Sequence, residues 1–226
     1  GIERLNSASS LYNDRNKEQY RVVMDVNQQN ATGRWTSPWR VIIVGKLEDV
    51  VASTLVTDVS EPCRIGDTSW IKPGSVSWIY WAYNHGSNDY QIIRQYVDMA
   101  VDMHWPYVLI DAEWDEMKNG GSIEDAIRYA LDKGIKPLLW YNSSTAWLKA
   151  WGAPGPHERL NAPELREREF AWLEKMGVAG VKIDFFAGDK QETMEYCIDL
   201  LECAARHHLL VNFHGATIPR GWQRTY

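Results

Sequence analysis

Gly180-Val181-Lys182-Ile183-Asp184-Phe185-Phe186 is a short apolar run carrying one lysine and one aspartate, two residues apart. It lacks the alternation of a half-exposed strand. Its β-branched and aromatic side chains read as a strand buried on both faces. Four more runs of this kind occur, at Val76–Trp81, Tyr107–Ile110, Lys136–Tyr141 and Leu209–Phe213. Most of them recur at about 30 residues, the length of one βα unit.

Between the runs lie four amphipathic helical patterns. Ile93, Tyr96, Val97, Ala100, Val101 and His104 keep helical spacing. Ser122 and Asp125 open the second helix as a capping box, Ile123, Ala126, Ile127, Ala130 and Leu131 form its stripe, and Gly134 ends it. The third starts near Asn161 with Pro163 in its first turn, presents Leu165, Trp172, Leu173 and Met176, and stops at Gly177. The fourth starts with Asp189 and Glu192 and presents Met194, Cys197, Ile198, Leu201 and Ala205.

Strand–helix alternation predicts an α/β fold with a parallel sheet. Eight such units close a (β/α)8 TIM-type barrel of about 250 residues. About five strands fit here, so residues 75–226 read as the first part of a barrel. A complete, open, doubly wound sheet of five strands is the alternative. The Gly-rich dinucleotide fingerprint is missing, which weakens a nucleotide-enzyme reading of that sheet.

Residues 1–74 follow another rhythm and read as the tail of a β-rich domain with its linker. Residues 1–19 look loop-like, and Tyr20, Val23 and Met24 suggest a helix over Glu18–Asn30. Trp39–Val44 and Val50–Val56 read as two β-rich runs, and Lys72-Pro73-Gly74 marks the boundary turn.

Composition excludes several classes. The net charge is -6, from 24 basic and 30 acidic residues, so nothing favours nucleic acid or an anionic membrane. No apolar run approaches 18 residues, and no signal-peptide pattern opens the chain. Three cysteines do not make a disulfide scaffold, and Cys197 and Cys203 fall on different faces of one helix. Twelve Trp and eleven Tyr against four Phe suit a Trp-rich core. They also suit sugar binding, where a pyranose C–H face lies on an aromatic ring.

Active sites of parallel α/β folds lie at the carboxyl ends of the strands. Those ends carry Trp81, Tyr83, Asn84 and His85; Asp111, Glu113 and Trp114; Trp140, Tyr141 and Asn142; Lys182 and Asp184; and Asn212 and His214. Asp184 is the sharpest candidate. Lys182 shares its side of the strand and would keep it ionised, as a glycosidase nucleophile requires. An Asp–Lys ion pair closing the strand is the plainer reading. Asp111 and Glu113 could serve as acid and base, ligate a metal or hold sugar hydroxyls. His85 and His214 with these carboxylates make only a weak metal pattern, and His207 and His208 suit a helix C-terminus.

Ser69-Trp70-Ile71-Lys72-Pro73-Gly74, Ile110-Asp111-Ala112-Glu113-Trp114, Gly180 to Phe186, Asn212-Phe213-His214-Gly215 and Arg224-Thr225-Tyr226 occur in an order that resembles glycoside hydrolase family 97, bacterial α-glucosidases and α-galactosidases. The resemblance implies an N-terminal β-sandwich, a central (β/α)8 barrel and a C-terminal β-domain. Residues 1–74 then end the sandwich and its linker. Retaining members place an Asp nucleophile at the end of strand four, where Asp184 stands. Inverting members lack it and carry a base Glu right after the strand-five His, where this chain has Gly215.

The resemblance therefore implies a retaining exo-acting α-galactosidase with Asp184 catalytic and an acid/base Glu beyond Tyr226. Lys182, Asp111 and Asn142 are expected at sugar hydroxyls, and Trp81 and Trp114 at the apolar sugar face. Glu113 and His214 are also expected in the substrate site. A calcium ion is implied, with ligands outside this stretch, as is a periplasmic or extracellular location. The expected partner is a small α-galactoside or oligosaccharide; no pattern encodes the oligomeric state. An α-glucosidase and a non-catalytic carbohydrate-binding module stay open as alternatives.

Overall fold

A computed structural model describes residues 2–4, 20–22, 33–34, 39, 41–80, 82–83, 86–145, 153–188, 190–216, 218 and 221–226. Ile2–Arg4 (β1) pairs antiparallel with Tyr20–Val22 (β2). The helix expected over Glu18–Asn30 is therefore corrected at its start. The aromatic and β-branched Tyr20-Arg21-Val22 suits a strand, and the rest of that span lies outside the described residues.

Both β-rich runs are corrected as well. Residues 41–44 form no strand, with Ile42 and Val44 strongly exposed. Val50 and Val51 belong to helix Leu47–Ala52 (α1) and Val56 to Leu55–Asp58 (α2). Lys46 N–H donates to Asp49 Oδ2 at 3.2 Å, and that local cap outweighs β-propensity. The segment after α2 docks on Trp222–Thr225 (α7), where Thr225 Oγ1 donates to Glu61 O at 2.8 Å.

The main sheet holds Val76–Trp78 (β3), Tyr107–Ile110 (β4), Lys136–Asn142 (β5), Gly180–Asp184 (β6) and Leu210–Phe213 (β7). All neighbours are parallel, and the spatial order is the sequence order. Right-handed crossovers in one direction place every helix on one face. A doubly wound sheet needs a reversal of strand order, so the order found is that of a barrel arc.

Tyr90–Asp102 (α3), Ile123–Asp132 (α4), Pro163–Met176 (α5) and Gln191–Arg206 (α6) form the outer layer. Asp89 caps α3 through Gln91 N–H and Ile92 N–H, and Ser122 and Asp125 make the expected capping box on α4. Pro163 sits in the first turn of α5, and Gly177 ends it at φ 81. One core joins these helices to Val108, Ile110, Leu139, Tyr141, Val181 and Ile183. On α6 the fully buried side chains are Thr193, Cys197, Leu200, Cys203 and Ala204. Leu201 and Ala205 instead line an apolar groove beside β7, with Val211 and Phe213.

Candidate active site

Period-two alternation sends every second strand residue away from the helices. Trp78, Asp111, Trp140, Lys182, Asp184 and His214 therefore share the concave face, at or near the carboxyl rim. The turns beyond the strands hold strained backbone: Glu113 at φ 67, Ser144 at φ 61 and Phe185 at φ 64. Such left-handed non-glycine residues persist where the surroundings dictate them, commonly at functional sites.

Asp184 is buried, and its carboxylate is held from three sides. Phe185 N–H donates to Oδ1 at 2.7 Å, and Trp140 Nε1–H donates to Oδ2 at 3.3 Å. His214 Nδ1 lies 2.7 Å from Oδ2. A carboxylate only accepts, so Nδ1 carries the proton and Nε2 points elsewhere. The half-exposed imidazole bridges the buried carboxylate to the open face.

Gly215 completes the wall. A Cβ there would come within 2.5 Å of Asp184 Oδ1, and φ is +54. A side chain at 215 and a carboxylate at 184 thus compete for one space.

Lys182 does not pair with Asp184. Its Nζ lies 2.9 Å from Asp111 Oδ2, with both side chains about 95% buried (6% and 4% exposed). This corrects the expectation of a same-strand cation beside Asp184; the pair spans β4 and β6 instead. Trp78 Nε1–H donates to the same Oδ2 at 2.7 Å, and Lys182 Nζ sits 4.3 Å from the Trp78 ring centre. Ser87 Oγ accepts from Asp111 N–H. The sequence reading missed Trp78, although its register beside Leu109, two before Asp111, puts it on the same face.

The other expected residues scatter. Asn142 is buried beside Asp184, but Nδ2–H donates to Pro154 O at 3.1 Å and Oδ1 accepts Ser144 N–H at 2.9 Å. Its amide thereby fastens a rim loop. Glu113 is half-buried and accepts from Asn88 Nδ2–H at 3.2 Å. Trp114 is a correction: it is 2% exposed, donates its Nε1–H to Trp140 O at 2.7 Å and stacks on Trp172. It belongs to the helix-side core and has no face for a sugar. Trp81 and His85 lie outside the described residues.

A calcium ion takes six to eight oxygen ligands. Asp111 and Asp184 already accept from Lys182, Trp78, Trp140, His214 and Phe185 N–H. Among the described residues no trio of His, Cys, Asp or Glu donors converges at this rim. The described rim therefore does not fit a calcium ion, and no step is derived through one.

The arrangement offers a rigid, oriented carboxylate on the concave face, next to a buried ion pair and aromatic rings. A carboxylate so held can act chemically as a nucleophile or as a base.

Comparison with known proteins points the same way. A family model described as Glycoside hydrolase 97 matches residues 75–226, and one described as Glycosyl-hydrolase 97 N-terminal matches residues 5–62. The chain is 34% identical to a Streptomyces bingchenggensis protein named "Probable retaining alpha-galactosidase", covering 97% of this chain and 34% of that protein. It is 30% identical to the Bacteroides thetaiotaomicron "Retaining alpha-galactosidase", covering 84% of this chain and 28% of that one. A crystal structure of a beta-arabinopyranosidase superposes with TM-score 0.70 at 39% identity, over 78% of this chain and 28% of that one. The chain thus spans about a third of the length of the curated relatives it matches. With two thirds of its residues under the Glycoside hydrolase 97 model, the chain belongs to glycoside hydrolase family 97.

Proposed function

We propose that this stretch is the nucleophile-bearing part of a retaining, exo-acting α-glycosidase that hydrolyses terminal α-galactosides. The observation that carries the reading is the Asp184 carboxylate, fixed by Phe185 N–H, Trp140 and His214 on the concave face. An Asp184 oxygen attacks the anomeric carbon as the C1–O bond to the leaving group breaks. A Glu outside this stretch protonates the leaving oxygen, then activates water to cleave the glycosyl-enzyme ester. The two carboxyl groups are expected about 5–5.5 Å apart.

Asp111 and Lys182 supply an acceptor and a donor for adjacent sugar hydroxyls, with Trp78 as the aromatic wall. The names of the two curated relatives support a galactoside. The beta-arabinopyranosidase supports a second reading. A β-L-arabinopyranoside has the ring configuration of an α-D-galactopyranoside and lacks only its exocyclic CH2OH. We place the implied calcium ion on residues outside the described rim and the protein outside the cytoplasm, both on the resemblance alone.

The test compares kcat/KM of the full-length protein on 4-nitrophenyl α-D-galactoside, β-L-arabinopyranoside and α-D-glucoside. The reading expects the galacto-configured substrates to lead the glucoside by at least about 100-fold, the discrimination available to a site that binds a hydroxyl. A preferred glucoside contradicts it. Sugar binding without turnover points to a non-catalytic module.

A further inference from the structure

We propose that Glu167, Cys203 and His207 form a binding site for a single thiophilic divalent cation of the zinc type, on the helical layer remote from Asp184. His207 follows α6, so the site lies at the amino-terminal end of the sheet, opposite the rim. Their donor atoms all lie within 4.8 Å of one another. Zinc–ligand bonds of about 2.0–2.3 Å need donors somewhat closer, which small side-chain rotations supply.

Three observations converge. Cys203 in the last turn of α6 and His207, the residue that follows it, are four apart, and Glu167 and Glu174 are seven apart on α5, so one helix and the capped end of its neighbour hold the donors. Secondly, His207 is wedged between carboxylates and only 11% exposed. Its Nδ1 lies 2.8 Å from Glu174 Oε2 and its Nε2 lies 2.9 Å from Glu167 Oε1. A carboxylate behind one ring nitrogen, leaving the other for metal, is the usual support of a zinc-bound histidine. Thirdly, buried Cys203 Sγ–H donates to Glu167 Oε2 at 3.3 Å, so protons now occupy the contacts a cation would make.

The donor set selects the ion. Thiolate and imidazole suit zinc or its first-row neighbours, whereas calcium and magnesium take oxygen ligands. The Cys203 thiol holds a proton that it donates to Glu167 Oε2, so binding must expel that proton. The cation forms bonds to sulfur, Nε2 and Glu167 oxygen. The thiol proton, and any proton on Nε2, go to solvent; no redox partner is needed. Arg206 Nη2, 2.9 Å from Glu167 Oε2, opposes the ion and sets a brake on affinity.

The full-length enzyme, stripped of transition metals, is titrated with Co²⁺ and read by absorbance. The expected result is a saturable thiolate-to-cobalt charge-transfer band that Cys203→Ser removes. Glu174→Gln should weaken binding about 10- to 100-fold, the usual cost of losing such support, and Arg206→Gln should tighten it. Glu167→Gln, at a half-exposed position, is the control should Cys203→Ser fold poorly. A wild type with no such band overturns the proposal. So does a band undiminished in Cys203→Ser, or Glu167→Gln binding Co²⁺ as tightly as wild type. Hydrolysis should be unchanged in all four variants.

Discussion

Lys182 Nζ pairs with Asp111 Oδ2 at 2.9 Å across the sheet, and not with Asp184 two residues along its own strand. The lysine thus welds β4 to β6 through a buried ion pair and leaves the Asp184 carboxylate to neutral donors and a histidine. Removing one partner strands the other charge in the interior. Lys182→Met should therefore cost about 3–5 kcal/mol, with the double variant Lys182→Met/Asp111→Asn recovering much of it. Urea unfolding of the four proteins of that cycle measures the coupling; additive losses contradict a buried pair.

Gly215 reports on the same carboxylate from the other side. Gly215→Ala would drive a Cβ against Asp184 Oδ1 at a left-handed backbone position. A loss of about 1–2 kcal/mol is expected from the backbone alone. A fall in kcat larger than any rise in KM is expected from the displaced carboxylate. Thermal unfolding beside steady-state kinetics separates the two; unaltered kcat would show that residue 215 does not press on the Asp184 carboxylate.

Trp114 and Trp78 should behave oppositely. Trp114 is buried among Tyr141 and Trp172, so Trp114→Ala should cost about 3–5 kcal/mol. Trp78→Phe removes the N–H bonded to Asp111 and trims the ring beside Lys182, so its stability cost should be about 1–2 kcal/mol while kcat/KM falls. Denaturation curves with kinetics on the folded variants decide this. A raised KM in Trp114→Phe with unchanged stability would return that residue to the sugar site.

The acid limb of stability should respond to Glu167. Its carboxyl is lowered from 4.5 to about 2, first by Arg206 and then by His207 and Cys203. The folded value is the lower one, so the contribution is present above about pH 4.5 and fades as pH falls toward 2. The side chain is half-exposed, so the gain is less than about 1 kcal/mol. Glu167→Gln should flatten the stability profile between those limits and leave its shape above pH 6 unchanged. An unaltered acid limb contradicts the contact.

Much of this was legible in the sequence. The five apolar runs and the capped helices follow from local periodicity and end signals, and all five became parallel strands. Asp184, Asp111 and Lys182 reached one face because alternation at strand ends is a local rule. What pairs with what was not legible, because cross-strand register decides it: Lys182 chose Asp111, and Trp78 was missed. Trp114 was misplaced because a short 3-10 turn after Glu113 rotates its ring into the helix layer. In residues 1–74 isolated valines carried no periodic signal, so Val50 and Val51 read as strand although Lys46 and Asp49 cap a helix.

Asp184→Asn keeps the shape and the acceptor toward Phe185 N–H but removes the carboxylate charge. Turnover of the full-length protein should fall by about 10⁴-fold or more in a protein that still folds, at a cost of about 1–3 kcal/mol for the amide N–H facing Trp140 Nε1–H. Near-normal activity would remove Asp184 from the chemistry.

The most direct measurement is proton NMR of the full-length enzyme acting on an aryl α-galactoside, watching which galactose anomer forms first. Attack by Asp184 followed by water inverts the carbon twice, so the account predicts that α-galactose appears first and mutarotates afterwards. If β-galactose leads, water attacks directly, and a covalent role for Asp184 is contradicted.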